Sequence, residues 1–536
     1  MLKRRKRVWK LLGCLLVLAV FVLVTAGCGE KGVKEPEGGT STYTIADPTG
    51  DWGFPSPYAH YARGPGYVRM SFIFDTLVWK DAGGYIPALA VSWEYLKDED
   101  AYLFRLRKDV TWHDGQKFTA GDVAFTVNYT KKHPYQWVDT GVVKGVEALD
   151  EYTVKMYMEK PYAPFLELVG GTLPVLPEHI WKDVQEPRQF QQKEALTGPG
   201  PYKLVDYNKE QGTYLYEANE QYYQGTPGIK QLKFIKVGGE VSAAALRQKQ
   251  AGVAQIPPEM ARELEKEGFK CLESSHDWVA KMVINHQKAP LDSQEFRQAL
   301  AYAVDRQALV DTCLRGYGLA GSPGLLPPDN AWYNPRLDGQ YSYDPGKSAE
   351  LLAGLGYVKK NSYFEKDGRT LELELLVSGS GSTTQGAPGE REGEFIKGQL
   401  EQAGIKINLR SLEAKTLDNR VLENKFDLAL SGHGGLGGDP ENLNKAIIAK
   451  GFNSARYEQS EELNNLLKQQ LAEMDQEKRR ELVSRVQELY AREMPTLPLY
   501  YPNWYYAHNG QVNLFFTMQG IASGVPLPFN KMAFVR

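Results

Sequence analysis

The chain has 536 residues, a formal net charge of −3 at pH 7 and only four cysteines. A length of this order corresponds to two or three domains, and so long a chain buries enough surface to be stable without disulfides. Aromatic residues make up 11% of the chain, and Tyr and Trp suit wet clefts as well as cores because each has an apolar body and a polar tip.

The first residues predict export. Six basic residues lie between Lys3 and Lys10, followed by an uncharged, mostly aliphatic run over 11–24 and by Thr25-Ala26-Gly27-Cys28. A basic segment, a short apolar run and a small-residue cleavage site are typical of a secretory signal peptide. The run of about 14 residues is short for a bilayer core of ~30 Å. A retained N-terminal membrane anchor is the alternative.

The end of this run resembles a bacterial lipoprotein signal, although Thr25 stands where Leu is usual. We therefore expect 1–27 to be removed and Cys28 to carry the lipid. The segment 28–42 is expected to be a flexible tether, because it is rich in Gly, Lys and Glu and has almost nothing apolar. Without the six cations the mature chain has 57 basic against 66 acidic residues, a net charge of −9. This balance argues against nucleic acid as a partner and against electrostatic attraction to anionic lipid.

Local patterns predict helices and strands that alternate without a strict repeat. The segment 102–107 alternates as a half-buried strand, and Thr119 with Asp122 has capping-box spacing before a helix. Asp292 with Glu295 is expected to cap a single helix whose apolar stripe reaches 309. Further strands are predicted over 153–158, 214–216, 232–237, 371–377, 405–409 and 497–501, further helices over 348–355, 395–403 and 460–490, and a polar loop or insertion over 378–393. The pattern favours a mixed α/β architecture with several sheets.

The motifs do not indicate an enzyme. The eight histidines form no pair at helical spacing, so no metal site is expected, although one His could touch a metal carried by a chelator. His113-Asp114 stands where a turn is expected. The segment 432–437 matches Gly-x-Gly-x-x-Gly, but we interpret it as a loop that exposes backbone amides to a ligand. Cys271 and Cys313 are compatible with one disulfide or with two free thiols. No catalytic residue and no cofactor is therefore expected.

Several segments together resemble the peptide/nickel-binding family of ABC-importer solute receptors, bacterial solute-binding protein family 5. The longest is 88–123, with Trp93, Phe104-Arg105-Leu106-Arg107 and a gap-free stretch from Val110 to Val123. The others are Gly198-Pro199-Gly200-Pro201-Tyr202, the segment 285–306, Tyr343-Asp344-Pro345, 351–357, Asp439-Pro440 and 495–501. The resemblance covers nearly the whole mature chain.

This resemblance implies an α/β, two-lobed periplasmic-binding-protein fold (class II, large cluster) with an extra domain inserted in the N-terminal lobe. Lobe I would comprise 43–85, 200–285 and 495–536, the inserted domain 86–199, and lobe II 286–494. The chain would cross between the lobes near Asn285 and Pro495. The ligand would be held as the lobes close over it.

Peptide receptors of this family carry a loop Trp-x-x-Asp-x-x-(Asp/Glu)-Pro, whose first Asp holds the amino group of the peptide. Here the corresponding segment is 433–440, with His433 in place of the Trp and Leu436 in place of that Asp. Either Asp439 takes over or the ligand has no free α-amino group there; a shifted alignment is a third interpretation. The candidate ligand contacts are His433, Gly435, Leu436 and Asp439, then Tyr500, Tyr501, Asn503 and Trp504 near the C-terminal crossing, and Asp51, Trp52 and Arg63 in early loops.

The resulting hypothesis is a monomeric, non-enzymatic receptor that captures a peptide-like solute and delivers it to an ABC permease and its ATPase. It would be anchored by lipid on the outer face of the cytoplasmic membrane. One alternative is a receptor of the same fold for nickel or another metal chelate. An alternative of another class is a surface sensor, an adhesin or an exported enzyme on this scaffold.

Overall fold

The computed structural model describes residues 42–379, 388–522 and 524–535, which belong to one body that begins at Thr42. The predicted signal peptide, Cys28 and all but the last residue of the tether lie outside the described residues, as does part of the segment 378–393. Among the helices that the structure describes, none is both long and apolar enough to cross a membrane.

The strands and helices alternate along the chain in an irregular order. The strands are β1 (Thr42–Asp47), β2 (Val78–Asp81), β3 (Gly84–Pro87), β4 (Ala90–Leu96), β5 (Ala101–Leu106), β6 (Val143–Asp150), β7 (Thr153–Met158), β8 (Tyr202–Asn208), β9 (Thr213–Ala218), β10 (Gln231–Lys236), β11 (Val253–Ile256), β12 (Lys270–Glu273), β13 (Trp278–Ile284), β14 (Leu319–Ala320), β15 (Val358–Lys360), β16 (Tyr363–Lys366), β17 (Arg369–Thr370), β18 (Glu372–Ser378), β19 (Lys406–Leu412), β20 (Leu428–Gly434), β21 (Thr496–Tyr501) and β22 (Tyr505–His508). The helices are α1 (Gly64–Ser71), α2 (Ala120–Lys132), α3 (Glu178–Trp181), α4 (Ser242–Arg247), α5 (Ala261–Lys266), α6 (Gln294–Ala303), α7 (Arg306–Cys313), α8 (Pro345–Gly354), α9 (Glu390–Gln402), α10 (Ala414–Leu422), α11 (Glu441–Ile447), α12 (Glu461–Ala472), α13 (Gln476–Glu493) and α14 (Met532–Val535).

The first lobe is built on a seven-stranded sheet in the order β12-β22-β11-β1-β10-β9-β8. β1 runs parallel to both of its neighbours, β10 and β11, and the other pairs are antiparallel. The strand β22, from the C-terminal end of the chain, pairs with β11 on one side and β12 on the other. The first strand of the described chain and its last strand therefore belong to the same sheet.

The second lobe is built on a six-stranded sheet in the order β14-β21-β13-β20-β18-β19. Its core contains the apolar faces of α6 and α9, through Phe296, Leu300 and Ile396, against strand residues such as Leu375. Three smaller sheets complete the fold: β4-β5-β7-β6, the hairpin β2-β3, and β15-β16-β17. The four-stranded sheet lies in the segment that we predicted to be the inserted domain.

Two short segments connect the lobes, and they lie side by side. The first crossing, residues 274–277, joins β12 to β13, and the second crossing, residues 502–504, joins β21 to β22. Ser274 and Trp504 bind each other: the Ser274 amide donates to the Trp504 carbonyl at 2.9 Å, and the Trp504 amide donates to Ser274 Oγ at 2.8 Å. Paired connections of this kind suit a hinge.

The predicted boundaries near Asn285 and Pro495 do not coincide with the change of sheet. β13 precedes Asn285 and β21 follows Pro495, yet both strands pair inside the six-stranded sheet of the second lobe. The resemblance located the lobes, but only the strand pairing shows which sheet a strand joins. We therefore propose that the second lobe comprises 278–501 and that the first lobe comprises 43–85, 200–277 and 502–536, with 86–199 kept as the inserted domain.

Most predicted elements are confirmed, with one clear error. The strand predicted over 102–107 is β5. The predicted capping box of Thr119 and Asp122 begins α2, and in it the Thr119 amide donates to Asp122 Oδ2 at 2.9 Å. The single helix expected from Asp292 to 309 is wrong. The chain forms α6 and α7 instead, because Val304 is extended and the side chain of Asp305 caps α7. Ser293, not Asp292, caps α6.

Candidate functional site

The two lobes touch along a cleft in which loops from both sides meet. From the first lobe come the β2–β3 hairpin and residues 515–525, which are joined where the Met518 amide donates to the Asp81 carbonyl at 3.1 Å. From the second lobe comes the glycine loop, residues 435–438. A Cβ on Gly524 would lie 2.6 Å from the Gly438 amide nitrogen, so these backbones are in close contact. The structure thus has the lobes closed at this point.

A second contact closes the cleft at its far side. The Ala163 amide donates to the carbonyl of Leu471, at the end of α12, at 2.8 Å. Beside it, the pKa of Tyr162 is raised by burial and, to a smaller degree, by the charges of Glu441 and Asp439. The four-stranded domain therefore packs directly on the second lobe. Two surface cavities lie on the second lobe, one of about 460 Å³ among residues 469–485, next to Leu471, and one of about 330 Å³ among residues 305–343.

His433 lies near the end of β20, opposite Val279 of β13, and its ring is buried. Burial lowers its pKa to about 3, and the charges of Lys281 and Lys445 add to the shift. The ring is therefore neutral at neutral pH. Within the described residues its Nδ1 has no hydrogen-bond partner. His433 is thus a neutral imidazole with a free nitrogen, enclosed in the second lobe.

Gly435 and Leu436 shape the glycine loop. Gly435 has a φ of +83°, a conformation that favours glycine, and its carbonyl accepts from Asn442 Nδ2 at 2.6 Å. The Leu436 side chain is buried in the apolar core of the second lobe, and its carbonyl accepts from Asn330 Nδ2 at 2.7 Å. The loop thus presents backbone rather than the Leu436 side chain at this point. Ligand contact by either residue stays a prediction.

Asp439 is held by an arginine. Arg479 Nη2 lies 2.6 Å from Asp439 Oδ1, and Arg479 Nη1 lies 2.7 Å from Asp439 Oδ2, so the two side chains form a bidentate ion pair. Both side chains are largely buried. Asp439 Oδ1 also accepts from the Glu441 amide at 2.8 Å. The carboxylate is therefore already neutralised within the second lobe. This placement weakens the hypothesis that Asp439 replaces the missing acid at Leu436.

The four candidates near the second crossing divide into two pairs. Tyr500 and Tyr501 are buried in the second lobe, and Tyr501 Oη donates to the Leu325 carbonyl at 2.8 Å while accepting from the Ser322 amide at 3.1 Å. Asn503 Nδ2 donates to Glu273, and Trp504 lies at the crossing, partly buried against the first lobe. The structure brings Asn503 and Trp504 together at the hinge and encloses the tyrosines in the core.

The early loops are anchored by tyrosines. Asp51 accepts from Tyr207 Oη at 2.6 Å, and also from Tyr61 and Tyr214. Burial opposes ionisation of Asp51, but these hydrogen bonds outweigh it and lower its pKa. The Trp52 amide donates to Tyr214 Oη at 2.7 Å. Asp51 and Trp52 therefore fix the loop from within the first lobe.

Arg63 has a different setting, because its side chain is exposed just before α1. The pKa of Asp418, in α10 of the opposite lobe, is raised because the side chain is buried. The positive charge of Arg63 opposes this shift but does not cancel it. The positive charge of Arg63 therefore reaches the opposite lobe. Its contact with ligand stays a prediction.

Tyr85 was missed by the sequence analysis. Its hydroxyl donates to Glu167 Oε2 at 2.7 Å, and Lys80 Nζ lies 2.8 Å from both Glu167 oxygens. Tyr85 is 38% exposed, yet burial raises its pKa well above the ordinary range, with Glu167 and Asp439 of the opposite lobe adding. Tyr85 therefore faces the cleft, and no local pattern in its sequence indicates this.

Comparison with known proteins agrees with this architecture. The family model described as "Bacterial extracellular solute-binding proteins, family 5 Middle" matches residues 84–454, more than half of the chain. The chain belongs to this family. Membership confirms the resemblance on which the predicted fold was based.

The relatives of this family 5 protein are named as binding proteins. Heme-binding protein A of Haemophilus influenzae is 28% identical over 528 residues, covering 90% of this chain and 93% of its own. The dipeptide-binding protein of Escherichia coli is 27% identical, with 77% and 80% covered. The oligopeptide-binding protein AppA of Bacillus subtilis is 26% identical, with 94% of each chain covered. These binding proteins are in keeping with a receptor rather than an enzyme.

Solved structures share the family 5 fold. NikZ from Campylobacter jejuni, in complex with Ni(L-His), superposes with a TM-score of 0.77 at 24% identity and covers 93% of this chain and 100% of its own. DppA from Helicobacter pylori, in complex with the peptide STSA, has a TM-score of 0.70 at 23% identity, with 90% and 96% covered. The two-lobed α/β fold is therefore confirmed.

No group of His, Cys, Asp and Glu within the described ranges could hold a metal ion. Cys271 and Cys313 are both free thiols; Cys271 lies on β12 and Cys313 ends α7. Of the two alternatives for this pair, the structure has the free thiols. Burial raises the pKa of both, which leaves them protonated and weakly nucleophilic at neutral pH.

Proposed function

We propose that this protein is the solute-binding receptor of an ABC importer and that its ligand is a peptide. The proposal is carried by the cleft between the two lobes, bounded by Tyr85 on one side and the glycine loop on the other. Relatives named for dipeptide and oligopeptide binding, which match most of the chain, support the ligand class.

Closure of the lobes would perform this function without breaking a bond. A ligand that contacts both walls stabilises the closed form by its greater affinity for that form. The paired crossings at 274–277 and 502–504 restrict the motion to a rotation of one lobe against the other. The permease and its ATPase would then recognise the closed shape. The receptor would act as a monomer.

A lipid at Cys28 would keep the receptor near its permease, on the outer face of the cytoplasmic membrane. The test is Cys28→Ala, which should release the protein from the membrane fraction. Cys14→Ala, in the predicted signal peptide, is the matched control and should leave attachment unchanged. Retention of the Cys28→Ala protein would contradict the lipid anchor and favour the retained N-terminal segment.

The ligand class is tested by native mass spectrometry of protein purified without unfolding, with protein refolded from urea as the ligand-free control. A retained mass in the range of short peptides supports the proposal. Thermal melting of the refolded protein against peptide pools is the second measurement. Absence of both a retained peptide and a thermal shift would refute peptide binding.

A metal chelate is the second candidate ligand, because His433 offers a neutral imidazole whose Nδ1 has no partner in the described structure. Such a nitrogen can complete the coordination of a metal that arrives with its own chelator. Nickel–histidine in the same melting assay tests this candidate. Stabilisation that His433→Phe abolishes would favour the chelate over the peptide.

A further inference from the structure

Asp277, the last residue of the first crossing, is a buried acid without a counter-charge. Its side chain is 3% exposed, and it accepts one hydrogen bond, from Ser275 Oγ at 2.6 Å. In the described ranges no Lys, Arg, His or backbone N–H pairs with this carboxylate. Burial of an unpaired carboxylate is strongly unfavourable, because water no longer solvates the charge.

Eight carboxylates are buried in the described part of the chain, and the seven other than Asp277 each pair with a cation or with backbone amides. Of these eight described carboxylates, six pair with Lys or Arg: Asp47, Asp75, Glu167, Glu392, Asp427 and Glu493. Asp122 instead accepts from the backbone amides of Thr119 at 2.9 Å and Glu178 at 3.0 Å. Among these eight acids, Asp277 is therefore the one that pairs with neither a cation nor a backbone amide.

Asp277 lies directly against the glycine loop, at the contact between the two lobes. The Leu436 amide donates to the Asp277 carbonyl at 3.0 Å, and a Cβ on Gly437 would overlap Asp277 Oδ1. The carboxylate therefore lies on the backbone of the glycine loop, which in turn contacts Gly524 of the first lobe. Residues 435–438 contain no charged side chain, so the loop itself offers no competing acid.

The basic side chains near Asp277 already bind other carboxylates. His276 Nδ1 binds Asp329 at 2.8 Å, and Lys80 Nζ binds both oxygens of Glu167. Burial raises the pKa of Asp277 to about 6, and Asp329 adds to this shift, while Ser275, His276 and Lys80 oppose it. Near neutral pH most of the side chain is ionised and lacks a partner. A cation brought into the closed cleft would supply that partner.

We propose that Asp277 binds a positively charged nitrogen of the ligand, an ammonium or a guanidinium, in the closed cleft beside the glycine loop. This inference rests on the proposed function as a peptide receptor and specifies which group of the ligand the receptor recognises. The cation has two possible sources in a peptide: its amino terminus or a basic side chain. The shared chemistry is a charged N–H donor to a desolvated carboxylate.

The test is Asp277→Asn, which keeps the shape and removes the charge. Asp329→Asn, whose carboxylate already pairs with His276, is the matched control. Calorimetric titration would compare Ala-Phe-Ala, N-acetyl-Ala-Phe-Ala and N-acetyl-Lys-Phe-Ala. Affinity of Asp277→Asn for the free tripeptide should fall about 10- to 100-fold, as expected for a lost hydrogen bond between charged groups. N-acetyl-Ala-Phe-Ala, which has no cationic nitrogen, should bind both proteins alike.

The third peptide identifies the source of the cation. A loss confined to Ala-Phe-Ala assigns the amino terminus, and a loss that includes N-acetyl-Lys-Phe-Ala assigns a basic side chain as well. Either result supports the inference. Equal affinities of the wild type and Asp277→Asn for all three peptides would overturn the inference alone. If the wild type binds no peptide, the proposed function fails and the inference fails with it.

Thermal melting of the ligand-free proteins separates ligand binding from a structural role. Because Asp277 lacks a counter-charge, Asp277→Asn should melt at the same temperature as the wild type or higher at pH 7.5. A lower melting temperature would show that the carboxylate holds the glycine loop in place, and would contradict the inference. Ligand affinity of the wild type should also fall as the pH drops below about 6 and the carboxyl group is protonated.

Discussion

Lys281 gives the most direct test of the interior of the second lobe. It lies in β13, at the middle of the six-stranded sheet, opposite Ser431 of β20 and Pro498 of β21. Its side chain is 0% exposed, and no partner for its ammonium group is found within the described residues. Burial lowers its pKa from about 10.5 to about 7. Lys281→Met replaces the amine with an apolar chain of similar length.

The magnitude follows from the two pKa values. Between pH 7 and 10.5 the unfolded chain binds the proton more tightly than the folded one, so stability rises as the pH rises through this window. With about 1.4 kcal/mol for each pKa unit, the penalty from Lys281 is about 4 kcal/mol at pH 7 and about 2 kcal/mol at pH 9. Lys281→Met should therefore raise the free energy of unfolding, and more at pH 7 than at pH 9.

The assay is urea unfolding followed by tryptophan fluorescence at pH 7 and pH 9. The difference between Lys281→Met and the wild type should shrink by about 2 kcal/mol between the two pH values. Lys450→Met, at an exposed position of the same lobe, is the control and should leave the pH dependence unchanged. Parallel pH dependences of Lys281→Met and the wild type would refute the placement of an unpaired amine in the sheet.

Three further substitutions test the part of the second lobe around the glycine loop. Arg479→Met removes the partner of Asp439 and should lower the free energy of unfolding by about 3–5 kcal/mol in urea, because a largely enclosed carboxylate loses its counter-charge. Gly432→Ala would place a Cβ inside the indole of Trp278 and should cost about 1–3 kcal/mol in the same assay. Gly437→Ala would displace the carboxylate that lies on the glycine loop, and should weaken ligand binding in calorimetry more than it lowers the melting temperature.

Two controls belong to these substitutions. Arg485→Met changes an arginine that is exposed in the same helix, α13, and should alter stability by less than about 1 kcal/mol. Gly398→Ala adds a Cβ into open space within α9 and should hold or raise stability, because Ala favours a helix over Gly. Losses in these controls equal to those of the test variants would contradict the local explanations.

Local chemistry allowed much of the fold to be predicted. The alternation over 102–107 and the box from Thr119 to Asp122 each act within one element, so the sequence carries their whole signal. The break between α6 and α7 was missed because the apolar stripe continues across it. Asp305 is a capping residue and did provide a signal there.

Contacts distant in sequence account for what was missed in the site. The pair of Asp439 with Arg479 spans 40 residues, and Asp277 lies against a loop that begins about 160 residues later. Neither pairing leaves a periodic trace in the sequence. A resemblance to receptors of known fold indicated the loop 433–440, but the acid nearest to it comes from a crossing segment that the loop pattern does not include.

The place of β22 in the seven-stranded sheet sets the order in which the protein can fold. This strand lies between β11 and β12, and the segment after it buries Lys531 against Asp75 and Asn530 against Trp79. The first lobe therefore lacks an inner strand and part of its core until residues 505–531 have been synthesised. Such long-range pairing makes folding slow. In this member of an extracellular family the first lobe would thus stay incomplete, and fit to pass through a membrane channel, until β22 has been synthesised.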